Sequence, residues 1–195
     1  MRKGISVLSL MVFIINLNVD AQQNYNNHEG STHHRFGERN GILDSSAVNP
    51  QPNPVNLSST CVKYRRSKEE IYDNIKLTLD SRLKNVAEYA TYEGNPGIIK
   101  MKIYSTAPKG TNVELQLGKK SEIAYPDGVH SQYQAITTKQ NEWEELSFKF
   151  AQIPEGSKVN DGDVDQITIL FAPNSKTNDV FFYDDLTGPQ LAKVE

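Results

Sequence analysis

The chain has 195 residues, a formal net charge of −3 and 37% hydrophobic residues, which suits one globular domain with a modest core. No basic patch stands out in the sequence, and this argues against a nucleic-acid partner. The single cysteine, Cys61, cannot form an internal disulfide. Its place in the strand-like run SSTCVKYRR favours a buried small hydrophobe over a nucleophile.

The N-terminus carries the pattern of an export signal. Arg2 and Lys3 precede the apolar run Ile5–Leu17, which is shorter than the roughly 20 apolar residues that a membrane-spanning helix needs. Small residues near Ala21 suit cleavage by a signal peptidase. We therefore expect residues 1–21 to be a signal peptide. The protein would be secreted, periplasmic or at the cell surface, without a membrane span.

The next two segments are predicted to contain no regular structure. Residues 22–40 are rich in Asn, Gln, His and Gly and nearly free of aliphatic side chains. Such a segment buries too little apolar surface to offset the entropy of ordering, so we predict a disordered leader. The following stretch, up to about residue 60, contains Pro50, Pro52 and Pro54, and we expect it to be extended and irregular.

From residue 60 onward, short runs of β-forming residues are separated by turn formers such as APKGT, YPDG and APNSKTN. In VELQL, three apolar residues share one face, and Glu114 and Gln116 share the other. SRLKNVAEYA fits a short helix as well as a loop. The runs predict strands at residues 61–65, 71–79, 97–105, 112–117, 132–138, 142–150, 165–171 and 180–186.

This spacing of short strands is typical of an all-β fold. We predict an antiparallel β-sandwich, a jelly roll of about eight to nine strands, over residues 41–190. In the run WEELSFKF, Trp143 has the opposite parity to Leu146, Phe148 and Phe150, which share one face. A regular strand would therefore put Trp143 on the polar face of its sheet.

Five segments occur in the order NPVNLSSTCVKYRRS, IIKMKIYSTAPKGTNVELQLG, EWEELSFKF, VDQITILFAPNS and VFFYDDLTG. In sequence and order they resemble carbohydrate-binding-module-like domains, of the galactose-binding-like jelly-roll type, in exported glycan-degrading systems of the Bacteroidota. The resemblance covers roughly residues 36 to 188. It implies two packed sheets, a non-catalytic role in binding a polysaccharide or glycan, and a glycan-degrading enzyme as a partner.

Sugar recognition combines aromatic faces, which stack on C–H patches of the ring, with planar polar side chains that hydrogen-bond the hydroxyls. Residues 125–143 supply both kinds of side chain. The alternative is that Trp143 packs at an edge of the sandwich and that Tyr133 covers the core. The predicted ligand-binding residues are Trp143, Tyr133, Tyr125, His130 and Gln132, with Tyr104 as a further candidate.

The resemblance also implies a structural calcium ion. Related jelly-roll modules often use an acidic residue near the end of the last strand as a ligand. Here that residue would be Asp184 or Asp185, with Glu38 or Asp44 from the N-terminal segment. Calcium takes about six to eight oxygen ligands, including backbone carbonyls, so the sequence names only part of such a site. The alternative is a solvated acidic strand end.

Two other functions fit the sequence less well. A structural or adhesive surface protein without a sugar site would surround Trp143 with apolar residues and would have no groove on the polar face. A jelly-roll polysaccharide lyase would use His130 and Tyr133 for proton abstraction. The sequence contains no GxSxG, Walker or HExxH motif that would point to other enzymes.

Overall fold

The computed structural model describes residues 22–27, 32–121 and 124–193, and these residues form an almost entirely β fold. All eight predicted strands are present, and a single helical turn lies inside SRLKNVAEYA. A 3₁₀ turn spans Asp161–Asp163. The elements are β1 (Gln23–Asn26), β2 (His34–Arg39), β3 (Ile42–Val48), β4 (Thr60–Arg65), β5 (Asn74–Leu79), α1 (Val86–Tyr89), β6 (Ile99–Ser105), β7 (Asn112–Gly118), β8 (Val129–Ile136), β9 (Trp143–Gln152), β10 (Gln166–Phe171) and β11 (Val180–Gly188).

The strands pair in the antiparallel order β2-β5-β10-β7-β8-β9-β6-β11-β4-β3. We call β2, β5, β10, β7 and β8 the front sheet, and β6, β11, β4 and β3 the back sheet. Strand β9 belongs to both, because Trp143–Phe148 pairs with β6 and Lys149–Gln152 pairs with β8. The two edge strands of this path, β2 and β3, follow one another in the chain. The jelly-roll sandwich is therefore closed on one side by a shared strand and on the other by a short turn.

The main core lies between the two sheets and follows from side-chain alternation along each strand. In β7, Val113, Leu115 and Leu117 are fully buried, as their shared face predicts. Phe171 of the front sheet stacks on Phe181 of the back sheet with ring centroids 4.5 Å apart. Burying each such side chain contributes about 1.5–3 kcal/mol, so the inward faces hold the layers together.

A second, smaller cluster lies on the outer face of the back sheet. We call it the outer cluster, and it contains Ala47, Cys61, Trp143 and Phe182. Cys61 is fully buried there, as predicted, and burial raises the pKa of its thiol to about 12. The thiol therefore stays protonated at neutral pH and is a packing group.

The predicted disorder of residues 22–40 is wrong for the part that the structure describes. Strand β1 pairs with the end of β11, and β2 forms the edge of the front sheet beside β5. Tyr25 is fully buried and donates a hydrogen bond to the Pro189 carbonyl at 2.5 Å. Backbone pairing at a sheet edge does not depend on side-chain hydrophobicity, so a few buried anchors suffice to order a polar segment.

Two further expectations differ from the structure or lie outside it. Strand β3 forms inside the stretch that was expected to be irregular, which brings the count to eleven strands instead of eight or nine. The predicted signal peptide, residues 1–21, lies outside the described residues. Among the described residues, no helix has the length and apolar composition needed to cross a membrane.

The burial of His34 predicts that the N-terminal strands lose stability in acid. It is 4% exposed, and its ring contacts Phe36 edge-on. Burial lowers the pKa of His34. As the pH falls through about 6.5, the unfolded chain binds a proton before the folded one does, and stability is lost. We expect His34→Gln to reduce the fall in melting temperature between about pH 7.5 and pH 5.

The neighbouring histidine provides the control for this measurement. His33 is more exposed and lies 3.9 Å from Asp80. Thermal unfolding of His33→Gln should follow the same pH dependence as the wild type. If His34→Gln and the wild type lose stability in parallel as the pH falls, His34 is not the source of acid sensitivity.

Candidate ligand-binding groove

The outer face of the front sheet forms an open groove of about 490 Å³. Its floor follows from the same alternation that builds the core, because the polar residues of each strand face away from the apolar ones. Glu114 and Gln116 of β7 lie there, as the pattern of VELQL predicts. The floor and walls contain Tyr72, Asn74, Lys76, Glu114, Gln116, Gly118, Ala124, Tyr125, Gly128, Val129, Gln132, Gln166, Thr168, Leu170 and Pro173.

Two exposed tyrosines lie at opposite ends of this groove. Tyr72, 55% exposed, precedes β5, whose first residue pairs with Leu170 of β10. Tyr125, 59% exposed, precedes β8, which begins beside Gly118, the partner of Gln166. Gln166 and Leu170 are four positions apart on β10, so the strand ends next to the two tyrosines are separated by about 13 Å along the strands. The groove therefore suits an extended ligand better than a single small ring.

A fully buried arginine fixes the loop that carries Tyr72. Arg66 is 1% exposed, and its Nε donates to the Phe171 carbonyl at 2.6 Å. Its Nη2 donates to the carbonyls of Glu70 and Ile71 at 3.0 and 3.1 Å. Hydrogen bonds from a charged donor are stronger than neutral ones. This wall of the groove is thus tied to the end of β10.

The opposite wall is the turn between β7 and β8. Within it, Gly128 N–H donates to the Ala124 carbonyl at 3.1 Å, and Val129 N–H donates to the Pro126 carbonyl at 3.0 Å. The turn approaches the end of β7 so closely that a Cβ on Gly118 would lie 2.4 Å from the Gly128 carbonyl oxygen. Only glycine permits this approach. The close contact holds the turn, and with it Tyr125, against the sheet.

The structure places two of the predicted ligand-binding residues, Tyr125 and Gln132, in the groove. Tyr104 lies elsewhere, half-buried on the outer face of the back sheet. Its ring centroid is 5.9 Å from that of Trp143 and 5.6 Å from that of Phe182. Tyr104 belongs to the surroundings of the outer cluster and does not line the groove.

The prediction that Trp143 binds a sugar is wrong. Its parity places it on the outer face of the back sheet, as expected, but that face is covered. Trp143 is 0% exposed and packs with Ala47, Cys61 and Phe182. Its Nε1 donates to Asn49 Oδ1 at 2.9 Å. A ring without exposed surface cannot stack on a ligand. Trp143 instead holds Asn49, at the start of the loop between β3 and β4, against the back sheet.

Tyr133 and His130 are also buried, against prediction. Tyr133 is in the main core, and His130 is the extra residue of a β-bulge opposite Leu117–Gly118. His130 Nε2 is 2.8 Å from Asp161 Oδ1, and Nδ1 is 3.0 Å from Ser131 Oγ. Asp, His and Ser are the residue types of a hydrolase triad, but a triad has the carboxylate at Nδ1 and the serine at Nε2, and here the two nitrogens are exchanged. Ser131 is also 0% exposed, so the chain of hydrogen bonds fixes the fold and cannot reach a polymer.

The sequence analysis missed Tyr72, Lys76, Glu114 and Gln116 as groove residues. The sequence did indicate that Glu114 and Gln116 point outward, because the alternation in VELQL places both on the polar face of the strand. The missing information was strand order: β5, β10, β7 and β8 are neighbours in the sheet but are spread over the chain. Polar faces on separate strands combine into a site only when this order is known.

A second depression, of about 560 Å³, lies where the loop before β6 meets β9. Tyr92 is 73% exposed there, and its ring centroid is 4.7 Å from that of Phe150. Its hydroxyl donates to the Ala151 carbonyl. Among the residues lining this depression, which include Lys149, none has a carboxylate. It offers fewer fixed polar groups than the groove does.

The predicted calcium ligands do not converge on one site. Asp185 forms an ion pair with Lys102 at 2.6 Å, and Glu38 forms one with Lys76 at 3.0 Å at the front sheet. Asp44 is exposed and accepts a hydrogen bond from a backbone N–H two residues later. In the described part of the chain, no three His, Cys, Asp or Glu side chains lie close enough together to hold a metal ion.

Only Asp184 keeps a feature that suits a cation. It is fully buried, and its Oδ2 has no hydrogen-bond partner of good geometry, although the side chains of Ser58 and Asn56 lie close to the carboxyl. Burial, more than the neighbouring Asp185 charge, raises the pKa of this carboxyl. Calcium at this position stays a prediction, and it would have to take most of its oxygens from the backbone and water.

A chelator tests the calcium prediction. If an ion binds Asp184 Oδ2, the chelator should lower the melting temperature of the wild type but not of Asp184→Asn, because binding to the folded state raises stability. Asp185→Asn is the control and should keep the chelator effect. Equal wild-type melting temperatures with and without chelator would exclude a structural calcium ion.

Replacing Trp143 should affect stability more than binding. Trp143→Ala should lower the free energy of unfolding by about 3–5 kcal/mol, as for other buried aromatic residues. Trp143→Phe, which retains most of the packing, should cost about 1–3 kcal/mol because Asn49 loses a donor. Denaturant unfolding measures both changes. A stability loss below about 1 kcal/mol for Trp143→Ala would contradict its place in the outer cluster.

The jelly-roll sandwich is similar in fold to solved structures of carbohydrate-binding modules. The family 11 carbohydrate-binding module of a cellulosomal cellulase from Clostridium thermocellum is 12% identical over 90% of this chain and 98% of that chain, with a TM-score of 0.51. A second structure of a family 11 module from this organism, in complex with a β-1,3-1,4-mixed-linked tetrasaccharide, is 12% identical over 89% of this chain and 98% of that one, with a TM-score of 0.52.

An exo-β-agarase is also similar, with 10% identity, coverage of 90% of this chain and 25% of that chain, and a TM-score of 0.50. No protein-family model and no curated protein matches the sequence. At these identities the likeness shows a shared fold. What the groove of this chain binds must be argued from its own residues.

Proposed function

We propose that this protein is an exported, non-catalytic carbohydrate-binding protein that holds a polysaccharide or glycan chain in the front-sheet groove. The observation that carries the proposal is the pair of exposed tyrosines, Tyr72 and Tyr125, at the two ends of a floor of polar side chains. Tyrosine faces stack on the C–H patches of sugar rings, and planar amides hydrogen-bond their hydroxyls. The floor between the tyrosines is rich in such amides.

The groove residues argue against a glycosidase. Hydrolysis of a glycosidic bond uses two carboxyl groups on opposite sides of the bond. Among the residues that line the groove, all of which lie in the described part of the chain, Glu114 is the single carboxylate. A lyase is disfavoured as well, because His130 and Tyr133 are buried away from the groove.

A structural or adhesive role without a sugar site was the main alternative from the sequence. One feature expected for that role is present, since the residues around Trp143 are mostly apolar. The other expected feature, a polar sheet face without a groove, is not found on the front sheet, whose polar face forms the groove. The groove therefore favours the carbohydrate-binding role, while the back sheet has a structural one.

Export and an enzyme partner belong to the same proposal. The N-terminal pattern of residues 1–21 supports export, because polysaccharides too large to cross a membrane are met outside the cytoplasm. A glycan-degrading enzyme is the expected partner of a protein that binds its substrate without cleaving it. A shallow groove with two aromatic anchors should bind with Kd of about 1 mM to 1 μM.

Removing either tyrosine tests the proposal. Tyr72→Ala and Tyr125→Ala should each weaken polysaccharide binding at least about tenfold, or about 1.4 kcal/mol, with nearly unchanged melting temperature. Affinity electrophoresis against a panel of neutral and acidic polysaccharides, beginning with a β-1,3-1,4-mixed-linked glucan, measures the change. Loss of a stacking face from an exposed residue leaves the core intact.

Tyr92→Ala is the matched control, because Tyr92 is an exposed tyrosine outside the groove. It should bind like the wild type. If Tyr92→Ala alone lost binding, the site would lie in the second depression. If the folded wild type bound no member of the panel, the structural role would replace the proposed one.

A further inference from the structure

The groove floor is organised around one carboxylate. Glu114 is 8% exposed and accepts hydrogen bonds from three glutamine side chains. Its Oε1 accepts from Gln116 Nε2 at 2.9 Å and from Gln132 Nε2 at 2.8 Å. Its Oε2 accepts from Gln134 Nε2 at 2.9 Å. All three partners are donors, an arrangement that suits an ionised carboxylate because it can only accept.

No cation neutralises Glu114 within the part of the chain that the structure describes. The one lysine that lines the groove, Lys76, forms its ion pair with Glu38 at 3.0 Å. Lys149, which lies opposite Gln134 on β9, lines the second depression instead. The charges of Lys76 and Glu38 offset each other, so Glu114 is the unpaired charge among the residues that line the groove.

The glutamines also set the polarity that a ligand meets. An amide that turns its NH₂ group towards Glu114 points its carbonyl oxygen away from it. The Gln132 oxygen is already used, since it accepts from Gln152 Nε2 at 2.7 Å. The oxygen of Gln116 remains on the half-buried floor, and that of Gln134, the exposed neighbour of Glu114 on β8, remains at the surface next to the groove lining. The floor is therefore rich in acceptors and suits a ligand that supplies donors.

We propose that Glu114 is a specificity-determining residue that makes the groove select neutral, hydroxyl-rich polysaccharides and reject uronate or sulfated ones. This inference rests on the proposed function. A hydroxyl group donates to the exposed oxygens and meets no repulsion. A carboxylate or sulfate group offers only acceptors, and in the groove it meets the like charge of Glu114.

The test compares neutral with anionic polymers. Affinity electrophoresis at low ionic strength should show that the wild type binds a β-1,3-1,4-mixed-linked glucan at least about tenfold more tightly than polygalacturonate. Glu114→Gln should reduce that ratio about fivefold or more, chiefly by strengthening polygalacturonate binding. Glu145→Gln removes a charge from the opposite sheet, where Glu145 pairs with Lys100 at 2.8 Å, and should leave the ratio unchanged.

Gln134→Lys covers the case in which Glu114→Gln fails to fold. Gln134 is exposed, so a lysine there should be tolerated, and its ammonium beside Glu114 should also raise polygalacturonate affinity. Equal wild-type affinity for glucan and polygalacturonate would overturn the role of Glu114 but not the proposed function. An equal loss of both affinities in Glu114→Gln would also overturn it. Failure to bind every neutral and anionic polymer would overturn the proposed function itself.

Discussion

Each strand of a two-layer sandwich can give only one of its faces to the core between the sheets. The other face must either meet water or be covered by another part of the chain. In this protein one outer face is covered and the other is open to solvent. The back sheet carries apolar residues outward, and the loop between β3 and β4 covers them, with Val55 packed against the outer cluster. The front sheet carries amides, lysine and glutamate outward, and its groove stays open.

Buried polar groups connect the core to the groove. Asp73 is fully buried and accepts from Tyr64 Oη and from the Ser67 N–H, each at 2.6 Å. Burial raises the pKa of the Tyr64 phenol, which therefore stays protonated and acts as a donor. With Arg66, this arrangement fixes both ends of the loop that carries Tyr72. A rigid loop loses little entropy on binding, so an exposed tyrosine held in this way is a better stacking surface than a mobile one.

The sequence was sufficient for eight of the eleven strands and for the buried face of strands such as β7, but not for what covers an outer face. The position of Trp143 in the alternating pattern correctly predicted that it lies on the outer face of its sheet. The pattern does not show whether another part of the chain packs over that face. That cover is built by asparagine side chains: Asn49 accepts from Gln51 N–H at 2.9 Å, and Asn53 accepts from Val55 N–H at 2.9 Å. Such local turns order a proline-rich stretch that has no periodic pattern.

Tyr133 and His130 show that the sequence pattern can also fail to predict which face of a strand is buried. The bulge interrupts the period-two pattern of β8 only at His130. Tyr133 lies in the regular part of the strand, opposite Leu115, but the apolar residue Ile136 on the other face is 53% exposed, so the side chains of β8 do not show which face is buried. The polar strands β1 and β2 were missed because edge pairing is a tertiary interaction that composition does not report. Tyr125 and Gln132 were predicted because they lie on a strand and a turn with clear local signals. Glu114 needed one more step, because the proposed selectivity depends on amide donors from two strands. Gln116 lies on the same strand, β7, but Gln132 and Gln134 are brought to the carboxylate by β8.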